Sequence, residues 1–443
     1  MKRNMLLAML LLVGMGTWYY MAGAAPTTKK VPTPSFTGKY PGLNLTVESE
    51  QAKQYTMAVS VPKTDYETLN ETLDAFVVSK KEDFKESLVL NGGQQGHLNI
   101  QTDTYQMSES SYTLVVHTYA FTGGANGQTT VDVFRLNVAT GTFIEWEDVF
   151  RDDKDTLEWF RTSVYERLQS NEYVFGDLVE DALLDPKTTK WMLTPSGLHV
   201  LFDEYEVAAG AAGVVEVSIP LEEVETYVTA QVSERPDNRG DTMTSIPARK
   251  PIDPNGKYVA LTFDDGPHPT VTPKVLEALE AYNAHATFFM LGSQIEFYPE
   301  VAKRVATAGH ELANHTEHHP NLTQLSASGI EVELEKVDER IDELTGERTR
   351  LVRPPYGAKN EVVERVLETR GQTLALWTVD SLDWSHRDAS QMHKLIMDGV
   401  HPNAVVLMHD IHTSTADGLP RVLASLKREG YTFVTMSELM TIE

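Results

Sequence analysis

Cysteine is absent from this sequence of 443 residues, and its absence excludes several kinds of chemistry. Without thiols the chain has no disulfide framework, no thiolate metal site, no cysteine nucleophile and no lipid-modified N-terminal cysteine. Such a chain needs no oxidation to fold, which suits an exported protein.

Basic residues are also scarce, because 38 lysines and arginines stand against 64 aspartates and glutamates, for a formal net charge of -26. A broadly acidic protein is repelled by phosphate backbones and by anionic membrane surfaces, so we expect no nucleic-acid partner. The 41% hydrophobic and 23% charged content is that of a multidomain globular chain with two or three cores.

The N-terminus has the pattern of an export signal. Lys2 and Arg3 precede an apolar run over residues 5–21, and residues 22–24 (Ala-Gly-Ala) resemble a small-residue cleavage site. We expect residues 1–25 to be either a signal peptide or a signal anchor, because the run is close to the roughly 18 apolar residues that can span a bilayer. The prediction is an extracytoplasmic protein whose contact with the membrane is limited to this segment.

The rest of the chain divides into four parts by composition and periodicity. Residues 26–42 contain four prolines and predict a tether. Residues 43–232 show strands with a few helices, typical of an α+β module or of two small ones. Residues 233–256 are polar and proline-rich without periodicity, which predicts a linker, and residues 257–443 form the last domain.

No catalytic group of residues is evident in 43–232. The glycine-rich residues 123–127 lack the lysine of a phosphate loop and predict a hairpin turn, while His117 and His199 are isolated on strand patterns. All the motifs described below lie beyond the linker, so we expect a fragment that starts near Ala248 to fold and act alone.

Strands and helices alternate throughout residues 257–443. The strands are predicted at residues 257–263, 286–291, 310–313, 351–353, 373–378, 404–408 and 431–434. This alternation is typical of a parallel sheet, and seven or eight βα units in about 185 residues fit a distorted (β/α)7-8 barrel of the α/β class. In that fold, functional residues collect at the carboxyl ends of the strands.

Two adjacent carboxylates, Asp264 and Asp265, end the first of these strands, and Gly266 and Pro267 turn the chain after them. Adjacent side chains on a strand diverge, so one acid can bind a cation while the other moves a proton. A simple turn cap is the alternative for the pair taken alone.

A second group is Asn-His-Thr-Glu-His-His-Pro at 314–320. His315 and His319 are four residues apart and would face one point on a helical turn, so that a carboxylate from elsewhere would complete a two-histidine, one-acid metal site. This set suits zinc and also fits other first-row divalent ions. We expect His318 to lie on the surface or to support a neighbouring ligand.

Three more groups fall at predicted strand ends, at 353–357, 380–384 and 407–410. Arg353 precedes a double proline that would hold it in a fixed loop, suited to orienting a carboxylate. His409 ends an apolar strand and could act as a general acid. In the alternative reading, Arg353 and Asp383 form a structural ion pair and Trp384 is a core residue.

Together these groups resemble the polysaccharide deacetylases of carbohydrate esterase family 4, which share the NodB-homology domain. The five matching motifs are TFDDGP at 262–267, HTEHH at 315–319, RPPY at 353–356, DSLDW at 380–384 and LMHD at 407–410. The resemblance extends over residues 257–434 and implies a hydrolase that removes acetyl groups from sugars.

The resemblance also implies roles for individual residues. Asp265, His315 and His319 correspond to the ligands of one divalent ion, with zinc expected and manganese or cobalt as alternatives. Asp264 corresponds to the base that deprotonates the attacking water, and the Tyr356 backbone N–H to a donor that stabilises the oxyanion.

The remaining roles lie around the leaving group. His409 corresponds to the general acid that protonates the leaving amine, and Asp383 to the group that raises its pKa. Arg353 would orient the catalytic base, while Trp384 and Leu407 would form the pocket walls around the acetyl methyl group.

The substrate is inferred from context. Residues 112–150 and 204–224 resemble small domains that precede the catalytic domain in some secreted cell-wall deacetylases. With export, this favours N-acetylated peptidoglycan sugars, and N-acetylmuramic acid ahead of N-acetylglucosamine. Chitin oligomers and acetyl-xylan are alternatives within the family, and a non-catalytic wall-binding protein is the alternative from another class.

Overall fold

The computed structural model describes residues 38–91, 95–123, 127–169, 174–194, 196–209, 213–229 and 256–442. The predicted signal segment, residues 26–37 of the predicted tether, residues 233–255 of the predicted linker and the middle of the predicted turn at 123–127 lie outside these ranges. Within the ranges, no helix combines the length and the apolar content needed to cross a bilayer.

The first half of the chain begins with a mixed sheet backed by a long helix. In chain order the elements are β1 Leu43–Asn44, β2 Val47–Gln51, β3 Tyr55–Ser60, β4 Lys63–Thr64, α1 Glu67–Leu90, β5 Gly96–Gln106, β6 Ser111–Phe121, β7 Gln128–Asn137 and β8 Thr142–Phe143. Among the described residues the main sheet has the order β2-β3-β5-β6-β7-β8, with β2 at one edge. Leu98 and Ile100 of β5 share a core with α1, so the alternate residues Asn99 and Gln101 face away from it.

A second small unit follows in the same half. Its elements are α2 Trp146–Val149, α3 Lys154–Leu168, α4 Gly176–Ala182, β9 Lys190–Thr194, β10 Gly197–Phe202, β11 Val215–Pro220 and α5 Leu221–Val224. The three strands pair antiparallel, and the buried Trp146 and Trp191 belong to the core beneath them. The first half is therefore an α+β module with separate cores, as the sequence predicts.

Strands and helices alternate in the second half. The elements are β12 Tyr258–Asp264, α6 Val271–Ala281, β13 Thr287–Met290, α7 Gly292–Phe297, α8 Pro299–Thr307, β14 Glu311–Asn314, α9 Ala327–Thr345, β15 Leu351–Val352, α10 Glu361–Thr369, β16 Thr373–Leu374, β17 Val379–Asp380, α11 Asp383–His386, α12 Ala389–Gly399, β18 Ala404–His409, α13 Thr413–Arg428, β19 Thr432–Val434 and α14 Met436–Met440. Every pairing recorded among these strands is parallel, which confirms the predicted α/β class.

The parallel sheet curves into a distorted barrel. In the described part of the chain its order is β16-β15-β14-β13-β12-β18-β17, with β19 against the start of β12. Only residues 375–378 separate β16 from β17, although these strands stand at opposite ends of the order. Because an extended residue spans at most about 3.3–3.6 Å, the two ends of the sheet must lie close together. This confirms the predicted (β/α)7-8 barrel.

Two local predictions are wrong. The strand predicted at 373–378 ends at Leu374 as β16, and β17 begins only at Val379; between them the carbonyl oxygens of Ala375 and Leu376 accept hydrogen bonds from Arg353. Residues 142–146 also have the pattern of a hairpin strand after the turn at Thr140 and Gly141, but β8 ends at Phe143, because Glu145 and Asp148 form a capping box that starts α2.

The two halves share a hydrophobic core. Phe297, Tyr298 and Val301 of the barrel pack in one cluster with residues of the first half, among them Tyr40 and Leu45. The Tyr298 hydroxyl accepts a hydrogen bond from the Leu45 N–H at 2.7 Å and donates one to the Leu45 carbonyl oxygen at 3.2 Å. The module is therefore fixed against the barrel by buried apolar and polar contacts.

Candidate active site

Asp264 and Asp265 lie at the carboxyl end of β12, and both are buried. Asp264 is the last residue of the strand, and Asp265 has a φ of 71°, in the left-handed region. As a result, the two carboxylates do not point to opposite faces, as neighbours on a strand would, and both lie near His315. One oxygen of Asp264 lies 3.8 Å and one oxygen of Asp265 lies 3.4 Å from His315 Nε2.

Gly266 follows this pair because no side chain fits there. A Cβ built on Gly266 would collide with the carboxylate of the buried Asp410. The Thr272 hydroxyl donates to that carboxylate, and burial raises the pKa of Asp410 to about 7. The turn after the two aspartates is therefore packed directly on the end of β18.

His315 and His319 lie in a loop and not on the helical turn that the sequence predicts. The loop follows β14, and Thr316 and His319 have positive φ angles of 75° and 60°. The Asn314 side chain accepts from the Thr316 N–H, and the Thr316 hydroxyl accepts from the His319 N–H. These side-chain bonds replace helical ones, and they still bring the two imidazoles to a centroid distance of 5.1 Å.

Asp265, His315 and His319 fit a metal ion. Their ligand atoms all lie within 4.8 Å of one another, and Asp265 Oδ1 is 3.4 Å and 3.3 Å from the two Nε2 atoms. Ligands about 2.0–2.2 Å from a tetrahedral ion are roughly 3.3–3.6 Å apart. Asp265 Oδ1 is buried and has no hydrogen-bond partner among the described residues, so a cation would satisfy it.

The protonation states also suit a cation. His315 Nδ1 donates to the Arg353 carbonyl oxygen at 2.6 Å, which leaves the lone pair of Nε2 directed toward Asp265. Burial lowers the pKa of His319 to about 3, so its imidazole is neutral. Burial opposes the Asp265 carboxylate, but positive charge on the histidines around it, including the His409 imidazolium, outweighs burial and holds the pKa of Asp265 below its usual range.

Arg353 is fully buried beneath this group, and it holds Asp264. Its Nη1 donates to Asp264 Oδ1 at 2.7 Å and to the Thr262 hydroxyl at 2.8 Å. The guanidinium carbon lies 4.0 Å from the centroid of the Phe289 ring. These hydrogen bonds fix one oxygen of Asp264, and the other oxygen faces His315.

His409 and Asp383 form a buried pair on the other side of the cleft. His409 Nδ1 lies 2.8 Å from Asp383 Oδ1, and the other carboxylate oxygen accepts from the His409 N–H and the Thr415 hydroxyl. Burial disfavours the imidazolium, but the Asp383 carboxylate more than offsets this and raises the pKa of His409 to about 9. Asp383 therefore pairs with His409 and not with Arg353, contrary to the alternative reading of the sequence.

All ten residues selected from the sequence line or support one open cleft. Tyr356, Trp384 and Leu407 form part of its walls. Trp384 is 36% exposed, which excludes the alternative that it is a core residue. The Tyr356 ring packs edge-on against His319 at 4.8 Å, and burial raises the pKa of its hydroxyl well above the ordinary value.

Backbone strain is concentrated around this cleft. Asp265, Thr316, His319, Tyr356 and Leu382 all have positive φ angles without being glycine. Such conformations cost of order 1–3 kcal/mol each and persist only where the surrounding structure enforces them. The local sequence alone would not adopt this arrangement.

Comparison with known proteins identifies the second half of the chain. Residues 252–375 match the family described as polysaccharide deacetylase. The chain is 30% identical over 259 residues to the peptidoglycan-N-acetylmuramic acid deacetylase PdaA of Bacillus subtilis (strain 168), covering 57% of this chain and 96% of PdaA. The chain belongs to the polysaccharide deacetylase family. The cleft at the carboxyl ends of the barrel strands is the candidate active site of this deacetylase.

Two other relatives differ in how much of this chain they match. The peptidoglycan-N-acetylmuramic acid deacetylase PdaC of the same strain is 28% identical over 461 aligned residues, covering 99% of this chain and 97% of PdaC. The peptidoglycan-N-acetylglucosamine deacetylase PgdA of Listeria monocytogenes serotype 1/2a (strain 10403S) is 42% identical over 183 residues, which is 41% of this chain and 39% of PgdA. Residues 147–222 match a family described only as a protein of unknown function.

Several residues of the deacetylase site escaped sequence reasoning. Trp377 lines the cleft, and so does Asp380, which the sequence placed in the motif at 380–384 without a role of its own. Ser49 and Gln51 also line the cleft, although they belong to the first half of the chain and no pattern marks them. His318 is buried and paired with Glu333 at 3.0 Å, so the surface alternative for it is wrong.

The burial of Arg353 predicts a large loss of stability on truncation. Arg353→Ala leaves the Asp264 carboxylate buried without its cation, and we expect the free energy of unfolding to fall by about 3–5 kcal/mol. Arg348→Ala is the control, because Arg348 pairs with Glu335 on the surface and its loss should leave the midpoint nearly unchanged. Chemical denaturation measures both; similar midpoints for the two variants would contradict the buried pair.

Proposed function

We propose that this protein hydrolyses the N-acetyl groups of peptidoglycan amino sugars and releases acetate, with N-acetylmuramic acid favoured over N-acetylglucosamine. The observation that carries the proposal is a buried aspartate with an unpartnered oxygen facing two imidazoles, in the same cleft as a base and an acid candidate. Metal-assisted hydrolysis of an amide uses this combination of groups.

In this proposal Asp265, His315 and His319 hold one divalent ion, with zinc expected from the ligand set. A bound ion would polarise the acetyl carbonyl and lower the pKa of a water molecule. Asp264 takes a proton from the attacking water. Arg353 binds one oxygen of Asp264, so the other oxygen is the one available as the base.

His409 acts on the opposite side of the scissile bond. Its imidazolium, stabilised by Asp383, donates a proton to the leaving nitrogen. The proton is needed because a neutral amine is a far better leaving group than an amine anion. The Tyr356 backbone N–H stabilises the developing oxyanion. Trp384 and Leu407 pack around the acetyl methyl group and exclude water from it.

The choice of sugar follows from similarity along the chain. The match to PdaC, whose name specifies N-acetylmuramic acid, extends over 99% of this chain, whereas the match to PgdA covers 41%. A wall substrate also places the protein outside the cytoplasm, either secreted or anchored through residues 1–25. Mass spectrometry of muropeptides and of chitin oligomers after incubation with the protein identifies which sugar loses its acetyl group.

Metal dependence is the direct test of the ligand set. We expect chelation to abolish hydrolysis and a divalent ion, added alone, to restore it, because Asp265 and the two imidazoles cannot polarise a carbonyl themselves. Acetate release measured before chelation, after it and after addition of zinc, manganese or cobalt gives the result. Full activity in protein shown to be metal-free by elemental analysis would overturn the assignment, and absence of hydrolysis under every condition would favour a non-catalytic wall-binding protein.

A further inference from the structure

The first half of the chain contributes one wall of the active-site cleft. Ser49 and Gln51 of β2 line the same cleft as Asp265 and His409. They point to the same face of the strand because alternate residues do, and both are exposed. β2 is an edge strand in the described sheet, so no neighbouring strand covers it on the outer side.

The register of the sheet explains why this wall reaches the site. Glu50 pairs with Met57 of β3, so the Met57 backbone lies between the cross-strand partners of Ser49 and Gln51. The Tyr356 hydroxyl donates to the Met57 carbonyl oxygen at 2.9 Å. One hydrogen bond therefore joins an active-site residue of the barrel to the strand next to the wall.

Contacts on both sides of this bond hold the wall in place. Tyr298 exchanges hydrogen bonds with Leu45, just before β2. On the other side, His97 of β5 is fully buried, and its Nε2 accepts from the N–H of Asn321 at 3.3 Å. Because β2 belongs to a sheet that is fixed to the barrel by these contacts, its side chains are positioned with little cost in conformational entropy when a ligand binds.

We propose that Ser49 and Gln51 form a binding subsite for a sugar unit next to the one that is deacetylated. This inference rests on the proposed function. A hydroxyl and an amide are neutral and can both donate and accept, which fits the hydroxyl and acetamide groups of a glycan. The subsite makes the enzyme prefer a chain of sugars over a single sugar, and it assigns the first half of the chain a role in substrate selection.

The test compares substrates of different length on the full-length, metal-loaded protein. In the double variant Ser49→Ala, Gln51→Ala, the KM for a long N-acetylated glycan oligomer should rise roughly tenfold, as expected for two lost hydrogen bonds, with kcat nearly unchanged. KM for a single-sugar substrate should not change. Ser49→Thr, which keeps the hydroxyl, should retain more of the affinity for the oligomer than Ser49→Ala.

The matched control is Glu48→Gln, because Glu48 points to the opposite face of β2, toward Lys81. Glu48→Gln should leave both KM and kcat for the oligomer at the wild-type values. An unchanged oligomer KM in the double variant, or a fall in kcat alone, would overturn the subsite. Failure of the wild-type protein itself to release acetate from any glycan would instead overturn the proposed function, so the two failures are distinguishable.

Discussion

Asp264→Asn is expected to lower kcat by about 10²–10⁴-fold while the metal stays bound, because a positioned general base contributes that much. The amide can still accept the hydrogen bond from Arg353 but cannot take a proton from water. The same change in Asp265 should have a different result. Its oxygen faces both imidazoles, so Asp265→Asn should lose the metal and, with it, activity.

Elemental analysis and acetate release on the same preparations distinguish the two aspartates. Asp264→Asn leaves Arg353 buried without a counter-charge, so the unfolding midpoint must be measured beside the rate to exclude loss of folding. Asp398→Asn, on the exposed surface of α12, serves as the control. If Asp264→Asn loses the metal and Asp265→Asn keeps it, the roles are reversed; if both keep metal and rate, the pair is only a turn.

Asp383→Asn is the second variant with a large expected effect. Without the carboxylate, burial is the main influence on His409, and the pKa of its imidazolium falls below the ordinary value. The general acid is then deprotonated at neutral pH, and kcat should fall by about 10²–10⁴-fold there. The loss should be smaller at acidic pH, where the imidazole is protonated again.

The pH dependence of kcat shows in which direction Asp383 shifts the pKa of His409. A group with a raised pKa holds its proton until the pH passes the raised value, so the wild-type rate should decline on the basic side as the pH approaches about 9. A bound cation opposes the imidazolium, so the decline should begin below that value. In Asp383→Asn the basic limb should move to lower pH.

Asp388→Asn is the control for this series, because Asp388 caps α12 and asparagine caps a helix equally well. Its profile should match the wild type. A basic limb that stays in place in Asp383→Asn, with the rate reduced equally at every pH, would mean that Asp383 only positions the loop and does not set the protonation of His409.

Local patterns in the sequence were enough for the barrel and for the composition of the site. Alternating apolar strands and amphipathic helices specify parallel βα units, and such units end their strands at one common face. The residues at the ends of β12 and β14 were therefore expected to meet, and His315 Nε2, directly after β14, does lie close to both Asp264 and Asp265. The sequence also determines the absence of thiol chemistry.

The detailed geometry depended on tertiary packing. A spacing of four residues suggested a helix for His315 and His319, yet the side chains of Asn314 and Thr316 accept backbone hydrogen bonds and form a loop that also brings the two imidazoles together. The pairing of Asp383 with His409, and of Arg353 with Asp264, involves groups far apart in sequence. The family resemblance implied both pairings, whereas periodicity reports only near neighbours and cannot decide between such partners.

The sequence by itself determined the class of fold, the set of chemical groups and the order of the two halves. Only the tertiary structure decided that the halves share a core, because the cluster that contains Tyr298 is built from both of them. The sequence predicts that a fragment from Ala248 acts alone. That prediction takes no account of the shared core, or of Ser49 and Gln51, which line the cleft. Their role depends on a packing surface between distant segments, and such a surface leaves no local periodicity in either segment.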